Sequence, residues 1–328
     1  MTTRFLTRRT ALNLVAASTL ALATSVAVAQ TAWPTKPLRL VVGFPAGSSP
    51  DLTARTLAEP LAQALGQPVV VDNKPGAGGT LGASAMVSAK SDGYLLTQLP
   101  LGIYRLPHMQ QMNFDPVKDI THIACLTGYT FGIACTADSP FKTLKEMVAF
   151  AKANPGKLAV ANEGPKTFSG MMTRLLSAQL GIQVNAISYV SVSAGVTDTV
   201  GGQTEVIVSD VPSTAQMVKT GRLRPLAVTT AQRVTGWESV PPVADTLPGF
   251  DYAGWIGIVA PAGTPAAAIQ RFNRDLDAVL GDKDIAARLL AIGPITDGAG
   301  TPEQMATFLQ AEHARWSKLT QDIGILPE

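Results

Sequence analysis

The sequence predicts an α/β fold built on a parallel sheet. Three observations carry that prediction. The first is Leu38-Arg39-Leu40-Val41-Val42, a largely apolar run that fits a strand covered on both faces. The second is the segment directly after it. Gly43-Phe44-Pro45-Ala46-Gly47-Ser48-Ser49-Pro50-Asp51 is a tight turn that hands the chain to a helical pattern at Leu52, Leu57, Leu61 and Leu65. The third is recurrence: strand, small polar turn and helix start repeat through the first hundred residues and again through the middle.

In the opening unit Ser49 fits an N-cap, Pro50 the first helical position and Asp51 the positive end of the helix dipole. Such a turn presents unpaired backbone N–H groups, an anion site without a dedicated cation, although an ordinary βα turn has the same composition. Pro60 is expected to kink or split the helix. Pro68 to Val71 reads as the next strand. The glycine-rich turn Asp72-Asn73-Lys74-Pro75-Gly76-Ala77-Gly78-Gly79 comes next, then a helix over Leu81 to Ala89 and a strand over Tyr94 to Leu99. That turn lacks the Gly-Lys-Ser/Thr of a P-loop and the acidic partner of a dinucleotide site, so close approach of two backbones is its expected role.

Residues 101–119 read as irregular, and Ile120 to Ala137 as two short strands. Thr143 with Glu146 is a capping box that opens a helix through Ala153. Three further strands are Leu158 to Ala161, Ala186 to Val190 and Glu205 to Ser209. Each runs into a small polar turn and a helix, at Asn162 to Ser169, Ser191 to Gly195 and Asp210 to Ser213. Leu226 to Thr230 and Gly254 to Ala260 are also strands. The remainder is helical, near Pro265 to Leu280, Lys283 to Ala291 and Pro302 to Asp322.

Composition narrows function. The chain has 328 residues and a formal net charge of +2, with no basic run of the kind that binds nucleic acid. Arg4, Arg8 and Arg9 precede a small apolar stretch that ends in Ala27-Val28-Ala29, so residues 1–29 read as an export signal cleaved near Gln30. The mature protein is expected in the periplasm. The three histidines, His108, His122 and His313, have no metal-ligand spacing, and no metal or cofactor is expected. Cys125 and Cys135 flank Thr130 symmetrically. A hairpin there would let them bond; two separate thiols fit equally. Ser139 to Lys142, Ser209-Asp210 and Lys219 to Gly221 imitate the motifs of penicillin-interacting serine enzymes, but the second lacks its Asn and the third comes too soon after it. Arg105 and Lys166 are the cations best placed to reach a ligand near the turns.

Several segments together resemble the Bug/TctC family, the periplasmic solute-binding proteins of tripartite tricarboxylate transporters. They are Val41 to Asp51, Gly66 to Gly79, Asp92-Gly93-Tyr94, Asp115 to Asp119, Gly201-Gly202-Gln203, Gly221 to Thr229 and Ala260 to Pro265. The resemblance runs from Trp33 to about Ile325. It implies a two-lobed, type II-like Venus-flytrap fold with hinge strands. Residues 30–125 and 250–328 would form lobe 1, and residues 126–249 lobe 2. It implies a non-enzymatic, monomeric receptor that delivers a small organic acid to membrane subunits, or an accessory that presents the acid to a signalling receptor.

By the same resemblance, Phe44, Pro45, Ala46, Gly47, Ser48 and Asp51 grip a carboxylate. Asn162, Gly164, Thr167, Ser191, Ser209 and Asp210 form the opposite wall. Tyr104 and Arg105 are added as nearby ligand contacts, and the rings of Phe44, Tyr104 and Phe168 could stack on an aromatic acid. The chain departs from the family at Ser48, at Tyr189 to Val192, at Ser209-Asp210 and in the Glu163, Pro165, Lys166 loop. Those departures leave carboxylate capture intact and put the distal half of the pocket in question. Candidate ligands are C4–C6 dicarboxylates, citrate-like acids, acidic amino acids and aromatic carboxylates.

Overall fold

A computed structural model of the protein describes residues 33–76, 79–100, 102–234, 237–292, 298–322 and 324. The expected leader and its cleavage point lie outside the described residues, as do Ala77 and Gly78 of the glycine-rich turn.

β1 (Leu38–Val42) places Leu38, Leu40 and Val42 in one core, and Val41 is buried as well. The 43–48 turn leads into α1 (Ser49–Leu65), whose Ala54, Leu57, Leu61 and Leu65 join the same core. The helix begins one residue earlier than the composition suggests, with Ser48 as N-cap and Pro50 second. It also runs without a break through Pro60. The hydrogen bond that Pro60 cannot donate would fall on Thr56, on a partly exposed face where water can take the carbonyl.

β2 (Val69–Asn73), α2 (Thr80–Val87) and β3 (Leu95–Pro100) complete the opening β-α-β-α-β. A helical turn, α3 (Gly102–Arg105), stands where an irregular loop is expected. Then come β4 (Ile120–Tyr129), β5 (Phe131–Thr136), α4 (Leu144–Ala153), β6 (Ala159–Asn162), α5 (Phe168–Leu180), β7 (Asn185–Ser188), α6 (Val192–Val200), β8 (Val206–Asp210), α7 (Val211–Lys219), β9 (Leu223–Val228) and β10 (Gly254–Pro261). Three helices end the chain, α8 (Ala266–Leu280), α9 (Lys283–Ile292) and α10 (Pro302–Asp322).

The strands form two five-stranded sheets, ordered β2-β1-β3-β10-β4 and β7-β6-β8-β5-β9. β1 is parallel to β2 and β3, and β6 is parallel to β7 and β8. The chain crosses between sheets at Thr130. Tyr129 still pairs with Gly254 on β10 in the first sheet, and Phe131 already pairs with Asp210 at the end of β8 in the second. The return crossing lies beside it, where the Tyr252 N–H donates to Thr229 O at 2.9 Å. β10 runs antiparallel to both β3 and β4, so β3 and β4 point the same way. A one-residue link therefore makes the carboxyl ends of both sheets face each other.

This corrects the hairpin reading. β4 and β5 are consecutive but belong to different sheets. Cys125 stands opposite Gly257 on β10, and Cys135 lies between Val206 and Arg224. No disulfide joins them.

α10 ties the two halves together. Its Met305 and Leu309 pack with Leu99, Ile103 and Val259 of the first sheet's side. Its Trp316 and Leu319 enter the core built by Ile133, Val208 and Phe168.

Candidate functional site

The facing sheet ends bring together the helix starts after β1, β6 and β8, and Asp51 organises the first of them. Asp51 is 1% exposed. It accepts the Gly47 N–H at 2.8 Å and Asn73 Nδ2 at 2.8 Å, and Arg55 Nε lies 3.0 Å from both its oxygens. Burial pushes its pKa up, but the bonds from Arg55, Gly47 and Asn73 outweigh burial and hold the carboxyl below its ordinary value. Asn73 Nδ2 also donates to Phe44 O at 3.0 Å, and Gln98 Nε2 donates to Pro50 O at 2.8 Å. The 44–50 turn is thus fastened from behind while Pro45, Ala46 and Gly47 stay exposed. The glycine turns serve close approach, as expected. A Cβ on Gly43 would meet Gly79 Cα at 2.8 Å.

What separates α1 from its counterparts across the seam is its cap. The Ser48 hydroxyl donates back to Pro45 O at 2.6 Å and makes no cap bond to the helix. The other three starts are closed by side chains. Thr167 accepts the Gly170 N–H at 3.2 Å, Ser191 the Ala194 N–H at 3.3 Å, and Asp210 the Ser213 N–H at 3.0 Å. Of the four turns with the same composition, the one at α1 keeps its first-turn amides uncapped by its own N-cap side chain.

The second wall is built differently from its sequence-level expectation. Asn162 is 3% exposed and shapes the loop, its Oδ1 accepting the Gly164 N–H at 2.8 Å. Gly164 sits at φ +120 with its carbonyl accepting from Thr167 Oγ1 at 2.8 Å. Ser209 is buried, and Ser191 is exposed at the start of the helix after the edge strand β7. Asp210 accepts Ser213 Oγ at 2.7 Å in addition to its cap bond. Burial nevertheless drives its carboxyl above the ordinary value. Next to it, at the end of the neighbouring strand, Glu163 is pushed up to about 7, by burial first and by Asp210 second.

Tyr129 links the two walls. Its hydroxyl lies 3.5 Å from Thr53 Oγ1 in α1. Its pKa is raised to about 12, chiefly by burial, with a further push from the negative charge of Asp210.

Tyr104 and Arg105 stand elsewhere. Tyr104 is 1% exposed, its hydroxyl 3.1 Å from His122 Nδ1. Arg105 is 4% exposed, with its guanidinium over the rings of Phe168 (5.0 Å) and Trp316 (4.7 Å). Burial lowers its pKa to about 10, against the opposing pull of Glu312. Phe168 packs on Phe131 at a ring separation of 4.4 Å. Tyr104 belongs to the core on the first sheet's side, and Arg105 and Phe168 pack against Trp316 of α10, which removes the aromatic stack expected of Tyr104 and Phe168. Phe44 stays partly exposed on the turn.

Sequence reading alone passes over Arg55, Asn73, Gln98 and Tyr129. Arg55 lies four residues after Asp51, a spacing visible in the sequence. The other three come from separate strands and carry no such signal. Two open grooves elsewhere, about 570 Å³ beside Thr173 and Gln183 and about 340 Å³ beside Trp255 and Phe308, contain none of the turn residues.

Comparison with known proteins agrees with this architecture. Residues 53–325 match the model of the tripartite tricarboxylate transporter family receptor, TctC. A protein of Cupriavidus necator, described as lying in the gbd 5′ region, is 40% identical over 79% of this chain and 80% of its own length. The adipate-bound Rpa4515 of R. palustris superposes with a TM-score of 0.83 at 29% identity, covering 90% of this chain and all of that one. The periplasmic binding protein BugD gives 0.81 at 28%, with the same coverage. The chain belongs to the TctC family of tripartite tricarboxylate transporter receptors, the Bug-type periplasmic solute-binding proteins.

Proposed function

We propose that this protein captures a small carboxylate between its two halves in the periplasm and delivers it to the membrane subunits of a tripartite tricarboxylate-type transporter. The observation that carries the reading is the uncapped start of α1, held open by the buried Asp51 and facing the second sheet. Backbone amides at a helix N-terminus bind an anion without a salt bridge. The adipate in the related Rpa4515 supports the ligand class.

The lobes of this reading divide at the two crossings between the sheets, so residues 126–129, which complete β4, go with the first lobe. They close on the ligand by rotation about the paired crossings at Thr130 and Thr229 to Tyr252. Phe44 to Asp51 hold the carboxylate, and the loops at Asn162 to Thr167 and Ser209-Asp210 set the rest of the pocket. Export after cleavage near Gln30 places the protein where it works. No helix among the described residues is long and apolar enough to cross a membrane.

A thermal-shift screen of mono-, di- and aromatic carboxylates tests the proposal. One class should raise the melting temperature in proportion to the logarithm of its concentration above its Kd. No shift with any acid refutes carboxylate binding.

A further inference from the structure

The second wall of the cleft carries acid where a dicarboxylate receptor needs donors. Glu163 directly follows β6 and Asp210 ends its parallel neighbour β8, with Ala161 opposite Ile207 two and three residues before them. Asp210 is occupied by Ser213, which donates both its N–H and its hydroxyl. Glu163 is not similarly held. Among the described residues its carboxylate has one donor, Ser169 Oγ, at 3.5 Å. Among the described residues no Lys, Arg or His nitrogen forms an ion pair with it.

The first wall also holds an acceptor without a donor. Gln98 is 1% exposed and lies within β3, opposite Val42, with its side chain reaching the first turn of α1. Its Nε2 is used by Pro50 O, and its Oε1 has no donor among the described residues. Asp210 acts across the seam on Tyr129, whose hydroxyl reaches Thr53 in that same helix. An acceptor without a donor thus stands beneath the uncapped amides, and a carboxylate with a single long contact stands on the opposite wall. An anion-binding turn opposite an unpaired carboxylate suits a ligand with one negative and one positive end.

We propose that Glu163 selects the ligand's far end. The receptor takes an aminocarboxylate whose ammonium group donates to Glu163, in preference to a dicarboxylate of the same length. This rests on the carboxylate reading above. Above its raised pKa, where Glu163 is ionised, a second ionised carboxylate would meet it as a like charge in a partly dry cleft, whereas an ammonium supplies donors beyond the one from Ser169.

Matched pairs isolate the effect. They are succinate with 4-aminobutanoate, glutarate with 5-aminopentanoate, and adipate with 6-aminohexanoate. Calorimetry at about pH 8.5 on the wild-type protein, above the value of about 7 to which Glu163 is pushed, should show the amino member of the best-fitting pair bound at least about tenfold more tightly, the size of one charge-assisted hydrogen bond. Glu163→Gln keeps the shape and removes the charge. It should bring the pair within about threefold, chiefly by weakening the amino member, while circular dichroism shows an unchanged fold. A wild-type preference for the dicarboxylate, or an unchanged ratio in Glu163→Gln, overturns the selection by Glu163 and leaves carboxylate capture standing. Failure of every acid, including acetate and benzoate, to bind the wild type overturns the carboxylate reading itself.

Discussion

Replacing Asp51 with alanine should cost the protein its ligand before its fold. The carboxylate holds Gly47 N–H and Asn73 Nδ2 at 2.8 Å each, and Arg55 Nε at 3.0 Å. The Arg55 side chain is half exposed, so that pair contributes only about 0–1 kcal/mol. Each bond to the buried carboxylate contributes roughly 1.5–3 kcal/mol net, which gives about 3–6 kcal/mol for the two from Gly47 and Asn73. Most of this is released locally. The turn is exposed at Pro45 to Gly47, and its freed groups can reach water. Global stability should fall by only about 1–3 kcal/mol, within the usual 5–15 kcal/mol of a folded domain.

Binding meets the loss directly. Ordering two or three loosened turn residues around a ligand costs about 1–2 kcal/mol each, about 2–6 kcal/mol together, so affinity should fall at least about 30-fold. Calorimetry with the acid chosen by the thermal-shift screen measures the affinity, and a thermal melt measures the fold. An affinity within about threefold of wild type, in a protein whose melting point has dropped, would show that the turn is structural and that the ligand binds elsewhere. The pH dependence has a fixed sign. Asp51 has a depressed folded pKa, so its contribution is present above the unfolded value of 3.8 and is lost only as pH falls below it. Wild-type and mutant melting curves should converge only in strong acid.

Other changes probe the remaining parts. Glu163 has its folded pKa raised to about 7 from 4.5, so the folded state holds a proton that the unfolded state releases. Stability of the ligand-free protein should therefore fall as pH rises from about 4.5 to 7 and level off above, and Glu163→Gln should flatten that slope in a pH series of thermal melts. Gly170→Ala would drive a Cβ into the carbonyl of Gly164, in the loop that forms the second wall. It should lower stability by about 1–3 kcal/mol in urea melts, and an unchanged midpoint would contradict that packing. Alkylation after unfolding without reductant should label both Cys125 and Cys135, which stand in different sheets. A mass lower by two protons and no label would refute the crossing at Thr130. Arg105→Met removes the cation between Phe168 and Trp316 but no group of the binding turn. It should leave the discrimination within each matched ligand pair unchanged, whatever it does to absolute affinity.

The architecture is readable in the sequence because its signals are local. A buried strand shows its apolar run, a βα turn its Gly, Pro and Ser, and a helix start its Ser, Thr or Asp. The crossing at Thr130 is not readable in that way. Cys-Leu-Thr-Gly-Tyr-Thr-Phe-Gly-Ile-Ala-Cys has the composition of a hairpin, and only pairing with β10 and β8 decides that its halves part company. Tyr104 and Arg105 mislead for a related reason. A tyrosine and an arginine in a Gly/Pro-rich stretch suggest a surface loop, yet α10 returns some 200 residues later to bury them.

The cap of α1 shows most clearly where sequence reasoning stops. Asp210 carries only acceptors when ionised, so at a helix start it has one local use, to take an N–H. A serine hydroxyl can donate or accept. Thr167 does both, donating to Gly164 O and accepting from Gly170 N–H. Ser48 spends its proton on Pro45 O and leaves the helix start uncapped. Four turns of one composition thus divide into three that are closed and one that is open. The division rests on the direction of a single hydroxyl, which the positions of Pro45 and Asp51 fix in space and the order of residues does not. On the proposed reading, that one open start is what turns a repeated βα unit into a receptor for an anion.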